Sequence, residues 1–204
     1  SGYLITSIIY KELMLTNNFS FSYFYERRIR RIVPPLIFVI ISILPVAWYY
    51  FLPFSFTELS NSIIYSLSFI SNFYFHFSGQ DYGAPNSLYL PLLHTWSLSV
   101  EEQFYIIFPI LFFLVFKFSK KNLFNFVILV FIISLIISQI GSKDFESLNF
   151  YSIHTRAWEL MIGSFAALVN YNQTLRIKNK LFSNIILLVS IFFILMSFLF
   201  FNKN

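Results

Sequence analysis

The sequence predicts an all-α, polytopic transmembrane helix bundle of about five to six membrane segments, one of them re-entrant. Three observations predict it. The 204 residues are 57% hydrophobic and only 11% charged, less than half the charge of a soluble domain. The 29 Phe and 13 Tyr are more aromatic surface than one small soluble core can hide, so lipid must solvate much of it. Apolar runs of span length alternate with short basic clusters, the pattern that sets orientation in membrane proteins. The formal net charge of +5 therefore belongs to topology and not to nucleic acid. The chain has no cysteine, which excludes disulfides, thiolate catalysis and a cysteine metal site. No signal-peptide pattern is visible. The opening SGYLIT reads as mid-segment, as in an N-terminally incomplete chain.

Ser1–Tyr10 reads as the tail of a span, ended by Lys11 and Glu12. Leu13–Tyr25 is a connector whose Phe21, Tyr23, Phe24 and Tyr25 suit a membrane interface. Arg27, Arg28, Arg30 and Arg31 then mark the cytoplasmic side. They serve either as a snorkelling anchor or as an anion site. In the second case Arg28 and Arg31, three apart on one helix face, present guanidinium forks to phosphate. Ile32–Leu52 is the first full span, with Pro34 and Pro35 in its first turn, a kink at Pro45 and Pro53 closing it. Leu59–Phe77 is weaker, diluted by Ser and Asn, with His76 as an interfacial residue at its end. Gln80–Pro91 is a loop broken by Gly83, Pro85 and Pro91. The His94 segment runs to Phe116 and is followed by Lys117, Lys120 and Lys121. Leu123–Ile140 is a clean span, Gly141–Asn149 a polar loop, and Thr155–Tyr171 a further span. Arg176, Lys178 and Lys180 precede the last one, Leu181–Phe201. If the arginine and first lysine clusters share a side, an even number of crossings separates them. Leu59–Phe77 is then re-entrant, which requires cover by protein or a water-filled cavity.

Two stretches carry chemistry. In HTWSLSVEEQFYIIFP, His94–Pro109, His94 and Glu101 are two helical turns apart and share a face. Tyr105 lies one turn beyond Glu101 on that face. Glu102 points about 100° away and reads as the less consequential carboxylate. In TRAWE, Arg156 and Glu159 are spaced to pair along a helix. Gly163 and Ala167 form a small-residue step for close helix packing. Two readings stand. Each group is an interfacial cap, with Trp96 and Tyr105 at headgroup level. Alternatively, His94 and Glu101 face one polar cavity with Arg156 or Glu159, because ionisable groups at membrane depth need partners. The histidines and carboxylates are not at metal-ligand spacing.

Three segments, SGYLIT with FYERRIRRIVPPL, LLHTWSLSVEEQFYIIFPIL and FYSIHTRAWELMIGSFAAL, resemble the acyltransferase family 3 membrane proteins, the O-acyltransferases of bacterial cell-surface glycans. The resemblance implies a single, partial membrane acyltransferase-like domain over residues 1–204, multi-pass in the bacterial inner membrane. It implies transfer of an acyl group, usually acetyl, from acyl-CoA to a hydroxyl of a cell-surface or lipid-linked glycan such as lipopolysaccharide. Membrane lipid is the surrounding partner, and no metal or nucleic acid is involved. It places the donor at Arg28 and Arg31, supporting catalytic roles at His94 and Glu101, and a substrate-site wall at Trp96, Tyr105, Arg156 and Glu159. The family's main catalytic histidine belongs to a helix that would precede Ser1, and further helices would follow Asn204. Two alternatives belong to other classes. One is a transporter subunit with His94, Glu101 and Arg156 along a pathway, which the clustering of charge at span ends disfavours. The other is a non-catalytic scaffold or remnant.

Overall fold

A computed structural model describes residues 1–79, 90–172 and 180–200, and all the regular structure among them is helical. The fold class is as the sequence predicts. By packing, the chain divides into two units, Ser1–Leu168 and Val169–Asn204, each described by itself.

In the first unit α1, Gly2–Thr16, buries Ile5, Ile9 and Leu13 along one face. Lys11 and Glu12 lie inside it rather than ending it. It stops at Asn17, whose φ of 55° is left-handed, a conformation asparagine tolerates. Glu12 Oε1 then accepts the Ser20 N–H at 2.9 Å, which ties the end of α1 to the start of the next helix. That helix, α2, runs from Phe21 to Tyr50 without a break. The expected connector and span are therefore one helix, the arginines stand on it, and Pro34 and Pro35 are interior rather than in a first turn. Each proline removes the N–H that would pair the carbonyl four residues earlier. The carbonyls concerned are those of Arg30 and Arg31, on an exposed stretch.

Pro53 opens a helix instead of closing a span. It is the first residue of α3, Pro53–Leu67, where a missing N–H costs nothing. The segment expected over Leu59–Phe77 is broken, because α4 spans only Ser71–Phe77. At the break Phe69 takes a left-handed φ of 54°, and Gln103 Nε2 donates to its carbonyl at 3.1 Å. Pieces of 15 and 7 residues fall short of the ~20 needed to cross a bilayer.

The polar residues that dilute this segment turn inward onto α5, Thr95–Ser119. Ser66 meets Thr95 at 2.7 Å, Ser71 meets Ser99 at 2.8 Å, and Gln103 Nε2 donates to Asn72 Oδ1 at 2.9 Å. Asn72 Nδ2 also donates to the Tyr151 carbonyl at 3.0 Å. This buried ladder satisfies irregular backbone that lipid could not. Asn72→Leu should strand Gln103 Oε1 and the Tyr151 carbonyl and cost about 1–3 kcal/mol. The check is the thermal unfolding midpoint in detergent, against the exposed Ser68→Ala, which should leave it unmoved.

Helix α5 and α6, Leu123–Asp144, are joined by a single 3₁₀ turn at Lys120–Asn122, so the lysine cluster sits on a hairpin. α6 runs on through Gly141, and α7, Glu146–Tyr151, fills the rest of the expected polar loop. α8 follows as Ile153–Asn172. Among the described residues, Phe21–Tyr50 and Thr95–Lys143 are long and apolar enough to cross a membrane. Their outward rows, among them Ile107, Ile110, Leu114, Ile132, Ile136 and Ile140, are exposed, as lipid-facing rows must be. The chain is an all-α membrane bundle.

Ring and hydroxyl contacts give the helix directions. Tyr10 meets Phe112 edge-on at 6.3 Å, so α1 packs against α5. Phe21 meets Phe113 at 5.7 Å, and Tyr25 donates to the Ile106 carbonyl at 3.1 Å, so α2 runs back against it. The arginines thus meet α5 near Tyr105, while Lys117 lies about 18 Å further along it. α1 and α8 cross backbone to backbone. A Cβ on Gly163 would fall 2.6 Å from the Tyr3 nitrogen, and one on Gly2 would run into the Leu160 carbonyl. The small-residue step at Gly163 and buried Ala167 therefore serves close packing, as its spacing predicts.

In the second unit α9 spans Lys180–Phe200, and its large apolar side chains from Leu187 to Leu195 are exposed. Most of the expected Gln80–Pro91 loop, and Arg176 and Lys178, lie outside the described residues.

Candidate functional site

The site is built on the first three turns of α5. Leu92 and Leu93 are buried ahead of it, and Thr95 Oγ1 donates to the Leu92 carbonyl at 2.7 Å. With the serine ladder on one flank, this end of α5 cannot rotate freely. Adjacent residues on a helix point about 100° apart, so the two glutamates leave α5 in different directions.

Glu101 faces a cavity of about 340 Å³, lined also by Trp96, Val100, Phe150, Arg156 and Glu159. Its Oε2 accepts the Tyr105 hydroxyl at 2.7 Å. Across the cavity, Arg156 donates to both carboxylate oxygens of Glu159, at 3.1 and 2.9 Å. The same guanidinium lies 4.9 Å over the Trp96 ring and 5.7 Å from that of Phe150. The pair is 29% and 43% exposed, and pairs of this kind contribute only about 0.3–0.5 kcal/mol. Stability does not account for it; what the fork and the two ring faces achieve is a fixed guanidinium orientation. The cavity holds one cation and two carboxylates between aromatic walls.

Ser134 on α6 sets the entry of α8. Its hydroxyl donates to the His154 carbonyl at 2.7 Å and accepts the Trp158 N–H at 3.0 Å. Those two groups are ordinarily paired directly in an α-helix. A side chain inserted there shapes the first turn of α8, which carries Arg156 and Glu159. The spacing of the motifs gives no hint of Ser134, which lies in a uniformly apolar run.

The four arginines have different surroundings. Arg27 stacks on Tyr23 at 4.0 Å, and Arg30 pairs with Glu26 at 2.8 Å. Arg31 is exposed. Arg28 reaches α5, lying 4.9 Å over the Tyr105 ring and 5.5 Å from that of Phe24. Tyr105 therefore stands between Arg28 on its ring face and Glu101 at its hydroxyl.

The structure thus brings Trp96, Glu101, Arg156 and Glu159 to one cavity and links Tyr105 to it. His94 is left outside. α5 starts at Thr95, so His94 is its cap; its side chain is exposed and does not line the cavity. Sharing a face two turns apart does not carry a side chain into a neighbour's cavity when the outer residue lies beyond the helix start. Glu102 is the residue that spacing alone undervalued. It is only 8% exposed, and its Oε1 is buried without a hydrogen-bond partner. The usable signal was its place in an apolar segment, where ionisable groups are rarely idle.

Several known proteins are similar to the chain in sequence. A protein of Haemophilus influenzae known only as uncharacterized is 32% identical over 212 residues, all of this chain and 85% of that one. The O-acetyltransferase OatA of Staphylococcus aureus is 31% identical over 173 residues, covering 83% of this chain but 28% of OatA. The peptidoglycan O-acetyltransferase OatA of Listeria monocytogenes is 33% identical over 174 residues, with the same two coverages. The chain thus spans little more than a quarter of either OatA. No solved structure matches it. The acyltransferase domain family matches residues 1–204 from end to end, and the chain belongs to that family, the acyltransferase family 3 of membrane proteins.

Proposed function

We propose that the chain is part of a multi-pass enzyme of the bacterial inner membrane that moves an acyl group, acetyl above all, from acyl-CoA to a hydroxyl of a cell-surface or lipid-linked glycan. One observation carries the reading. Arg28 and the Glu101 cavity lie on either side of a single side chain, Tyr105. A phosphate-rich donor and a hydroxylic acceptor need such neighbours. Guanidinium forks on α2 suit CoA phosphates, with Arg28 and Arg31 in that role. A cavity with Trp96 and Phe150 beside two carboxylates suits a sugar, which has apolar ring faces and a hydroxyl edge. The relatives named O-acetyltransferase, one of them for peptidoglycan, favour acetyl and a glycan.

In this reading the sugar oxygen attacks the thioester carbonyl carbon, and its proton passes to a base. A C–O bond forms, the tetrahedral oxyanion collapses, and the C–S bond breaks. The thiolate leaves and takes up the proton. Glu101 then supports proton movement, and Arg156 is the cation closest to hand for the oxyanion.

The test is a double substitution, Arg28→Lys with Arg31→Lys, in the intact protein. Charge and topology survive, but the forks are lost. The KM for acyl-CoA should rise about tenfold or more, as for loss of one charge-assisted hydrogen bond of roughly 1.5–3 kcal/mol. Unchanged donor affinity and rate would leave the arginines as an anchor only.

A further inference from the structure

We propose that Ser134 is a positioning residue for the acceptor side: its hydroxyl, reaching in from α6, sets the first turn of α8 so that Arg156 lies across the Trp96 and Phe150 rings, opposite Glu101. The inference rests on the reading of the Glu101 cavity as the acceptor site. A serine inside a helix ordinarily turns its hydroxyl back onto a carbonyl of the preceding turn. Ser42, Ser60, Ser68 and Ser164 do so here, on the carbonyls of Phe38, Phe56, Ile64 and Leu160. Ser134 is different. It is 3% exposed, and its hydroxyl crosses to α8. There it donates to the His154 carbonyl at 2.7 Å and accepts the Trp158 N–H at 3.0 Å. Those two groups bracket one helical turn, and Arg156 stands midway between them.

Arg156 needs such a tie. Its salt bridge runs to Glu159 at 2.9 Å, on the same helix, so the pair travels together whenever that turn moves. The bridge fixes the guanidinium relative to α8 but not relative to α5, which carries Trp96 and Glu101. The Trp96 ring attracts the cation at 4.9 Å, yet a ring face does not hold the backbone behind a long side chain. Two polar ties hold that backbone. Thr155 Oγ1 donates to the Asn149 carbonyl of α7 at 2.6 Å, and Ser134 holds the same turn from α6. Further along, α6 and α8 enclose a cavity of about 300 Å³, lined by Val127, Phe131, Met161 and Phe165 among others, all of them apolar. Apolar contact is non-directional, so nothing in that lining sets how far α8 slides or turns against α6. The Ser134 hydroxyl, with a fixed donor and acceptor direction, does.

The experiment measures kcat and both KM values on the intact, detergent-purified protein, with acetyl-CoA as donor and a peptidoglycan disaccharide as the acceptor probe. Ser134→Ala should raise the acceptor KM and lower kcat. Together these should cut kcat/KM for the acceptor about ten- to a hundredfold, as for a misplacement on the order of 1 Å. The acetyl-CoA KM should stay within about twofold. A change that merely destabilises the fold lowers the active fraction and moves neither KM. Ser164→Ala, buried on α8 but bonded within its own helix, should leave all three constants within about twofold. Arg156→Ala should cost at least as much as Ser134→Ala, and the double variant little more than Arg156→Ala alone. An unmoved acceptor KM in Ser134→Ala, or losses that multiply in the double variant, would overturn the proposal and leave the cavity as the acceptor site. If Arg156→Ala itself leaves kcat/KM for the acceptor unchanged, the reading of the cavity fails and the proposal with it. Ser134→Cys, whose thiol is a weaker donor, should show the same pattern to a smaller degree, and it decides the matter if the alanine variant does not accumulate.

Discussion

Glu101→Gln should slow acyl transfer by the intact protein about 10²-fold or more, with little change in either KM. The substitution is nearly isosteric, and an amide oxygen can still accept the Tyr105 hydroxyl that the carboxylate now accepts at 2.7 Å. The cavity should therefore keep its shape and lose only a group able to hold a proton. Tyr105→Phe deletes the hydrogen bond but not the ring under Arg28, and should cost less, on the order of tenfold. His94→Ala should cost less again, because that side chain is exposed at the cap of α5. Transfer of labelled acetyl from acetyl-CoA to a glycan acceptor measures all three. Equal losses at His94 and Glu101 would return His94 to the reacting groups. An undiminished rate for Glu101→Gln would remove the carboxylate from proton transfer.

Gly163→Leu should abolish accumulation of the folded protein. Even the first added carbon would lie 2.6 Å from the Tyr3 backbone nitrogen, and Gly2, opposite, has no more room. Backbone cannot swing aside as a side-chain tip can. Gly163→Ala should already cost about 1–3 kcal/mol, the usual range for overpacking. Whole domains are stable by only about 5–15 kcal/mol, so the larger residue should leave little folded material. Ala166→Leu, three residues on and exposed, should stay within about 0.5 kcal/mol of the parent. Membrane-fraction yield and detergent melting check the pair. Normal accumulation of Gly163→Leu would mean that α1 and α8 do not meet as described.

The helical, lipid-embedded class was legible because composition and hydropathy report directly on the solvent a chain can tolerate. The members of the cavity on α5 and α8 were legible for a narrower reason. Trp96, Glu101, Arg156 and Glu159 are polar or amphipathic residues in apolar segments, so each needed a partner. A helical period gives angles around an axis but not which neighbour occupies each angle. That is why Glu102 read as peripheral although it is nearly buried, and why His94 was grouped with Glu101 although it caps the helix. The start of α2 was misplaced because Pro34 and Pro35 look like a first turn. The helix tolerates them inside because the carbonyls they orphan are exposed. Ser134 had no legible signal, since a lone serine in a transmembrane run is as often lipid-facing as bonded.

The crossing of α1 with α8 also has a consequence in time. A ribosome adding about 5–20 residues per second finishes Gly2 on the order of ten to thirty seconds before it reaches Gly163. Through that interval the nascent α1 has no partner for its glycine notch, and one wall of the Glu101 cavity does not yet exist. α1, α2 and α5 can dock as they emerge, but the chamber closes only when the TRAWE segment is threaded in beside them. Assembly of the cavity is thereby postponed until α1, α2, α5 and α6 are already in the bilayer.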